Sequence, residues 1–572
     1  MKNFILISLL LIPNVAVSDA VISKPTPSSL VPPSSNLSAN QKAFHLLNRL
    51  AYGPRPGDLE TLSASGNAGM DAWLEQQLHP ESISDTEVDQ KLLRIKSLSM
   101  TIDQLREAYP KPDRKNKKKK GETDTEFESS SEKNPPPVPP TAVDVASDEV
   151  LTKLAGNEML PRRMLIELIS ARLVRAVESK RQFQEVILDF WFNHFNVDFK
   201  KGQVKWYLTS YERDTLRPHL FGKFRDLLGS VAKSPAMLFY LDNFQSVKDG
   251  LQRPRFMKAG ATKTLGLNEN YGRELLELHT LGVDGGYTQQ DVRETARALT
   301  GWSLEQPQRS TEFKFRKRAH DEDEKHILGV VFPAQGGITD GEKVLDLLAR
   351  SPKTAHFIAQ KLCIKFISDH PPESAVQKVQ AAFQKSDGDL RVVYTTLFHL
   401  PEFWAAASVR SKIKTPWEFE VSAARALGAQ VVLTPKGPKR MLMSLNQMGE
   451  PLYNCQPPTG FKATSEYWVN PGALVSRINL GLQMAGDRLP EINFDRTIFR
   501  NKLQAAKIEG LDPVISELNQ WMLAGEMKTN TRKHLVKELQ DEQGILNDAK
   551  IPVVNLAKLS GLILGSPEFQ RR

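Results

Sequence analysis

Apolar residues recur at three- and four-residue spacing through most of the chain, and that period predicts helices. Phe44, Leu47, Leu50 and Ala51 begin the pattern near Asn40, and two further helical segments bracket Gly66 and Gly69 and end at Leu78. Successive helices follow from Pro161, at a tolerated first-turn position, to about Ser246. Residues 268–302 predict two more, joined by a turn over Gly282–Tyr287. The second starts with a capping-box-like Thr288 and Asp291, and Gly301 can stop it. Helices resume from about Gly341 through Phe366 and over 372–386, 388–398 and 415–428, and the last hundred or so residues read as helix and loop. Strand signal is confined to Phe313–Phe315 and Ile327–Phe332, which predict one small hairpin or flap. No strand–helix alternation and no glycine-rich phosphate loop occur, which argues against Rossmann and P-loop folds and a nucleotide cofactor. The expected class is all-α: a large multi-helix domain with a minor β-hairpin or flap.

Two stretches break the pattern. Lys2, the apolar run Phe4–Ile12, the breaker Pro13 and the small residues Ala16, Ser18 and Ala20 follow the order of a secretory signal peptide, expected over 1–20. Its apolar centre is about half the length that spans a bilayer, and cleavage is expected after Ser18 or Ala20. A disordered Pro-, Ser- and Thr-rich tether follows over 21–39. Residues 110–150 carry a lysine block, an acidic-serine block and the cluster Pro135–Pro140, and predict a disordered surface insertion. It divides the helical domain into parts 40–109 and 151–572. The expected location is outside the cytoplasm, periplasmic or extracellular, with no transmembrane segment after signal removal.

Composition adds limits. With 572 residues, 40% hydrophobic and 25% charged, the chain falls near the globular average, which excludes wholesale disorder. The net charge of +9 suggests a nucleic-acid partner. However, the basic run Lys111–Lys120 is cancelled by the acids between 121 and 150, and the remaining charge is diffuse, so no nucleic acid is expected. Loose adhesion to anionic cell-surface polymers stays open. Cys363 and Cys455 are the only cysteines. A disulfide between them and two separate thiols, with Cys363 buried in a helix, are both open readings. Without CxxC or CxxCH, neither c-type haem nor a cysteine–zinc cluster is expected.

The segments Phe44-His-Leu-Leu-Asn-Arg-Leu-Ala-Tyr-Gly53, Phe190-Trp-Phe-Asn-His-Phe195 and Asn268-Glu-Asn-Tyr-Gly-Arg-Glu-Leu-Leu-Glu-Leu-His-Thr-Leu-Gly282 resemble the bacterial DUF1800 family. So do Tyr287-Thr-Gln-Gln-Asp-Val, Ala296-Arg-Ala-Leu-Thr-Gly-Trp302 and His320-Asp321. The resemblance runs from about residue 40 to the C-terminus, apart from the insertion. It implies an often exported protein of no settled activity. It also implies a possible partner, a DUF1501-like exported protein related to the alkaline-phosphatase and sulfatase superfamily. The family often has a glycine shortly after His-Asp, where this chain has Glu322, Asp323 and Glu324.

The motif residues supply the candidate chemistry. At about 100° per residue, Tyr271, Leu275 and Leu278 share one apolar arc of the helix 268–281. Asn268 and His279 flank one side of it, and Asn270, Glu274 and Glu277 the other. Glu277 and His279 lie about 160° apart on a regular helix and cannot chelate one metal. Glu274 and Glu277 share a face as paired carboxylates or metal ligands, or else Glu274 pairs with Arg273, Arg293 or Arg297 in a structural network. In the segment 185–195, Glu185, Asp189 and Asn193 form a polar stripe, while His194 falls on the apolar arc, a place for a core histidine or for a functional one. If His194, His279 and His320 converge, two imidazoles and a carboxylate would hold a divalent metal, or one would be a general base oriented by Asp321, Glu274 or Asn193. His320-Asp321 is either a loop site or an Asx-turn. Trp302 and Trp191 would stack a sugar ring or fill the core. No Gly-x-Ser-x-Gly elbow is present.

Two function classes follow. The first is an accessory or binding protein acting with another exported protein or a cell-surface polymer. Its candidate binding residues are Asn193, Asn268, Glu269, Arg273, Glu277, Arg297, Trp302 and Asp321. The second is a hydrolase, with or without a metal held in the sense above, with His194, Glu274, His279 and His320 as candidate catalytic residues.

Overall fold

The structure, a computed structural model, describes residues 36–110, 161–251, 266–305, 312–434, 436–495, 497–543 and 555–572. The expected signal peptide, most of the expected tether and nearly all of the expected insertion therefore lie outside the described residues. Among those described are 23 α-helices and three two-stranded sheets, so the fold is all-α.

Helix starts follow the local chemistry. Ser38, Thr101, Thr288 and Thr415 each cap a helix with their side-chain oxygen, and the third helical residue, Gln41, Gln104, Asp291 or Glu418, returns the bond to the cap N–H. These reciprocal bonds satisfy donors the helix itself leaves open. Pro161, Pro235, Pro352, Pro416 and Pro471 all open helices, where the missing N–H costs nothing.

The apolar faces meet in one core cluster that runs from Ala43 to Phe569. The helical parts before and after the insertion thus share a core. Phe183, fully buried, is at one centre of it, with its ring 5.3–5.9 Å from those of Phe221, Phe366, Tyr394 and Phe398. Cys363 and Cys455 are separate buried thiols.

The strand segments pair differently from the expected single hairpin. Phe313–Phe315 pairs with Trp302–Leu304, and Lys325–Ile327 with Val330–Phe332. The second pair is closed by Leu328 and Gly329, both at positive φ (52° and 79°), the two-residue turn that fits the twist of a tight hairpin. That turn consumes the 327–332 segment locally and leaves Phe313–Phe315 to find the residues after Gly301.

Helix Glu269–Leu276 crosses helix Gln289–Ala298 at Gly272. A Cβ there would lie 2.9 Å from both the Val292 carbonyl oxygen and the Ala296 nitrogen, backbone atoms that cannot step aside. Gly272→Val is expected to cost about 1–3 kcal/mol by overpacking and to lower Tm in a thermal melt; an unchanged Tm would contradict the close crossing.

Candidate functional site

Helix Gln182–His194 carries the polar stripe through the core. Glu185 receives the Arg217 guanidinium at 2.6 and 3.1 Å. Asp189 receives Arg172 and has Lys365 at 3.6 Å. Lys365 passes on to Glu418 at 2.9 Å, and Glu418 to Arg572 at 3.0 Å. Asn193 clamps the backbone of Phe461, donating to its carbonyl at 2.9 Å and accepting from its N–H at 2.7 Å. Gly460 makes that clamp possible. It sits at φ 70°, and a Cβ there would lie 2.3 Å from the Asn193 carbonyl oxygen.

His194 ends the same helix, 2% exposed, between Phe190, Phe195 and Phe357. Its Nε2 lies 3.1 Å from the His279 carbonyl oxygen and its Nδ1 2.9 Å from Lys361 Nζ. A carbonyl can only accept, so Nε2 carries the proton and Nδ1 accepts from the amine. Burial, then the Lys361 charge and His279, hold the ring's pKa well below that of an ordinary histidine, so it is neutral.

The His279 carbonyl is available because its helix ends in a π-turn over Glu277–Leu281. The turn inserts one residue, so each later residue takes the direction its predecessor would have held. His279 therefore occupies the inward place expected for Leu278: it is 1% exposed, while Leu278 is half-buried. The two imidazole centroids are 6.4 Å apart. Burial, then Lys361, lower the His279 pKa to about 3.

His194 and Asn193 form part of the lining of a cavity of about 310 Å³. Its apolar wall includes Phe190, Phe192, Ile364, Leu452, Phe461 and Trp468. Five cationic side chains line it (Arg172, Lys361, Lys365, Lys462 and Arg572) against two carboxyl groups, Asp189 and Glu450. Burial, then the Asp189 charge, push Glu450 up to about 8, so near neutral pH it holds its proton. Lys361 comes from helix Pro352–Phe366, and burial lowers its amine to about 8. Unlike Lys365 one turn later, it has no ion-pair partner among the described residues. Sequence reasoning missed Lys361, Lys365, Glu450, Arg172 and Arg572. One signal was available: Lys361 and Lys365, at i and i+4, interrupt the apolar series Phe357, Ile358, Leu362, Cys363 and Phe366.

The other candidates lie elsewhere. His320 is fully buried in a separate corner, with Nδ1 2.7 Å from the Thr300 carbonyl, Nε2 3.3 Å from Asp340 and its ring against Phe315. Lys325 shares Asp340 at 2.8 Å. Asp321 accepts a bidentate Arg297 at 2.8 and 3.0 Å; burial raises its carboxyl, but Arg297, the Asp323 N–H and Lys325 together hold it below the usual range. It also accepts from the Asp323 N–H at 3.0 Å, an Asx-turn. Trp302 and Trp191 are fully buried and present no face for a sugar. Asn268 caps its helix, and Glu269 and Arg273 bond Gln289. Glu277 accepts from Tyr287 at 3.1 Å.

Glu274 lines a different, open cleft of about 660 Å³ with Asp198, Lys200, Tyr240, Asn270 and Asn454. Arg273, Arg293 and Arg297 are engaged with other groups, and Glu274 has no ion-pair partner among the described residues. Burial, then Glu277, raise its pKa, which suits a proton donor. The structure thus joins His194 to His279 and sets His320 and Glu274 apart from them. Among the described residues no group of three or more His, Cys, Asp or Glu side chains is arranged to hold a metal ion.

The buried imidazoles predict a pH dependence. Folded His279 refuses a proton that the unfolded chain takes up below about pH 6.5, so its contribution is full above that pH and lost progressively below it. Glu450 acts in the opposite sense, so comparison with His279→Leu isolates the imidazole. Between pH 7 and 5 the wild type is expected to lose more stability than His279→Leu in chemical denaturation; equal losses would contradict a depressed pKa.

Comparison with known proteins adds a single match. No curated protein and no solved structure matches the chain. Residues 45–571 match the family described as "Protein of unknown function (DUF1800)", nearly the whole chain including every motif above except the first residue of the earliest one, and the chain belongs to that family.

Proposed function

We propose that this is an exported binding protein whose cavity takes a small anionic group, carried by a free solute or by a cell-surface polymer. The observation that carries this reading is Lys361: it faces the cavity with no ion-pair partner among the described residues, while Arg172, Lys365 and Arg572 in the lining are paired with carboxylates and Glu450 is protonated near neutral pH. A half-buried cation without a counter-ion is partly desolvated at a cost, and a ligand anion would supply the missing charge. The apolar wall would hold the body of such a ligand, with few polar groups fixing its orientation.

Export is supported by the signal-like order of residues 1–20. A DUF1501-like protein is the partner that the family resemblance suggests. No described helix is long and apolar enough to cross a membrane. A hydrolase, the alternative, would rest on Glu274 and Asp198 in the open cleft rather than on three converging histidines.

Calorimetric titration of the full chain with glucuronate, inorganic phosphate and glucose tests the reading. The anions are expected to bind and glucose not to. Lys361→Met is expected to weaken anion binding about 10- to 100-fold, the worth of one charge-assisted hydrogen bond of roughly 1.5–3 kcal/mol. Equal binding of glucose and glucuronate, or an unaffected Lys361→Met, would overturn it.

A further inference from the structure

Lys361 is placed to react as well as to attract. Resting on the anion site above, we propose that Lys361 is a carbonyl-reactive amine and that the cavity's ligand class is an oxo acid, which condenses with it as an imine.

Three features of the cavity support this. First, Lys361 and Lys365 lie one turn apart on the same helix but in opposite settings. Lys365 is held as an ammonium between Glu418 at 2.9 Å and Asp189 at 3.6 Å. Lys361 has instead an imidazole nitrogen at 2.9 Å and the Phe357 ring at 5.3 Å. Desolvation without a counter-charge favours the neutral, nucleophilic amine. Burial brings that amine to about 8, so roughly a tenth is unprotonated at neutral pH.

Second, His194 is a proton acceptor in contact with the nucleophile. Its Nε2–H is committed to the His279 carbonyl, which leaves the Nδ1 lone pair towards Nζ. This is the base-beside-nucleophile geometry of covalent catalysis. Third, in a 2-oxo acid the carboxylate adjoins the carbonyl carbon, so an anion drawn to the unpaired Lys361 brings the electrophile to the amine.

The step balances within these groups and the ligand. Nζ attacks the carbonyl carbon, a C–N bond forms, and the carbonyl π pair moves to oxygen. The two Nζ protons pass in turn through His194 Nδ1 to that oxygen, which leaves as water when the C=N bond forms. Hydrolysis reverses the sequence. No oxidant or reductant is consumed.

Pyruvate with sodium borohydride, which reduces an imine to a stable secondary amine, probes this in the full chain. Phosphate binding is measured alongside by calorimetry. The expected result is a single reduced adduct mapping to the Lys361 peptide in the wild type. Lys361→Arg, which has no nucleophilic amine, should lose that adduct by roughly tenfold or more. The wild-type peptide map carries the result even if the variant does not fold. Adducts spread over surface lysines with none at Lys361, phosphate binding being intact, would overturn the imine. A wild type that binds no phosphate would overturn the anion site beneath it.

Discussion

One imidazole fixes the geometry on which the candidate site depends. His194 bridges a helix-end carbonyl on one side and an amine on the other, and the carbonyl decides what the amine meets. Because the His279 oxygen can only accept, the ring must present its proton there, and the opposite nitrogen is left as a lone pair facing Lys361. The carbonyl is free for this because the helix stops at Leu281, in the turn whose last oxygens have no intrahelical partner. A π-turn, a short stretch of one neighbouring helix, thus sets the protonation pattern of a histidine 85 residues earlier in the chain.

Around that bridge the protein carries a chain of buried charges paired with one another. Arg172, Asp189, Lys365, Glu418 and Arg572 alternate in sign through the core, and Glu185 and Arg217 close a second pair. Such pairs do little more than offset their own desolvation, but removing one member exposes the full penalty of the other. They work here as a scaffold: Asp189 is tied to two helices, and Asn193, one turn on, pins the Phe461 backbone that walls the cavity. Lys361, at the cavity wall, has no ion-pair partner among the described residues and meets a neutral ring.

The helices were legible in the sequence because their signals are local. The Thr288–Asp291 box, the proline at 161 and the three- and four-residue apolar period each act within a turn or two of chain, and each is realised. The inward turn of His279 was not legible, because the helical wheel assumes a uniform rotation and one inserted residue moves every later side chain by a step. The hairpins were misassigned for a related reason: the positive φ at Leu328 comes with a tight turn that leucine does not announce. The motif histidines drew attention correctly, but their meaning was set by remote partners. His194 gained Lys361 from 167 residues away, whereas His320 gained Asp340 and a Thr300 carbonyl and became part of a brace. Glu274, for which an arginine network was one of two readings, faces an open cleft because Arg297 is taken by Asp321 and Arg273 by Gln289.

The protonation state of His194 is the most direct measure of this account. Heteronuclear NMR of nitrogen-labelled imidazoles, with the His194 signals assigned by their loss in His194→Gln, reads which ring nitrogen carries the proton. The account predicts a proton on Nε2, a bare Nδ1, and no change as the pH falls through the range where an ordinary histidine titrates. A proton on Nδ1, or a ring that titrates near the ordinary value of about 6.5, would mean that neither the His279 carbonyl nor the Lys361 amine holds it as described.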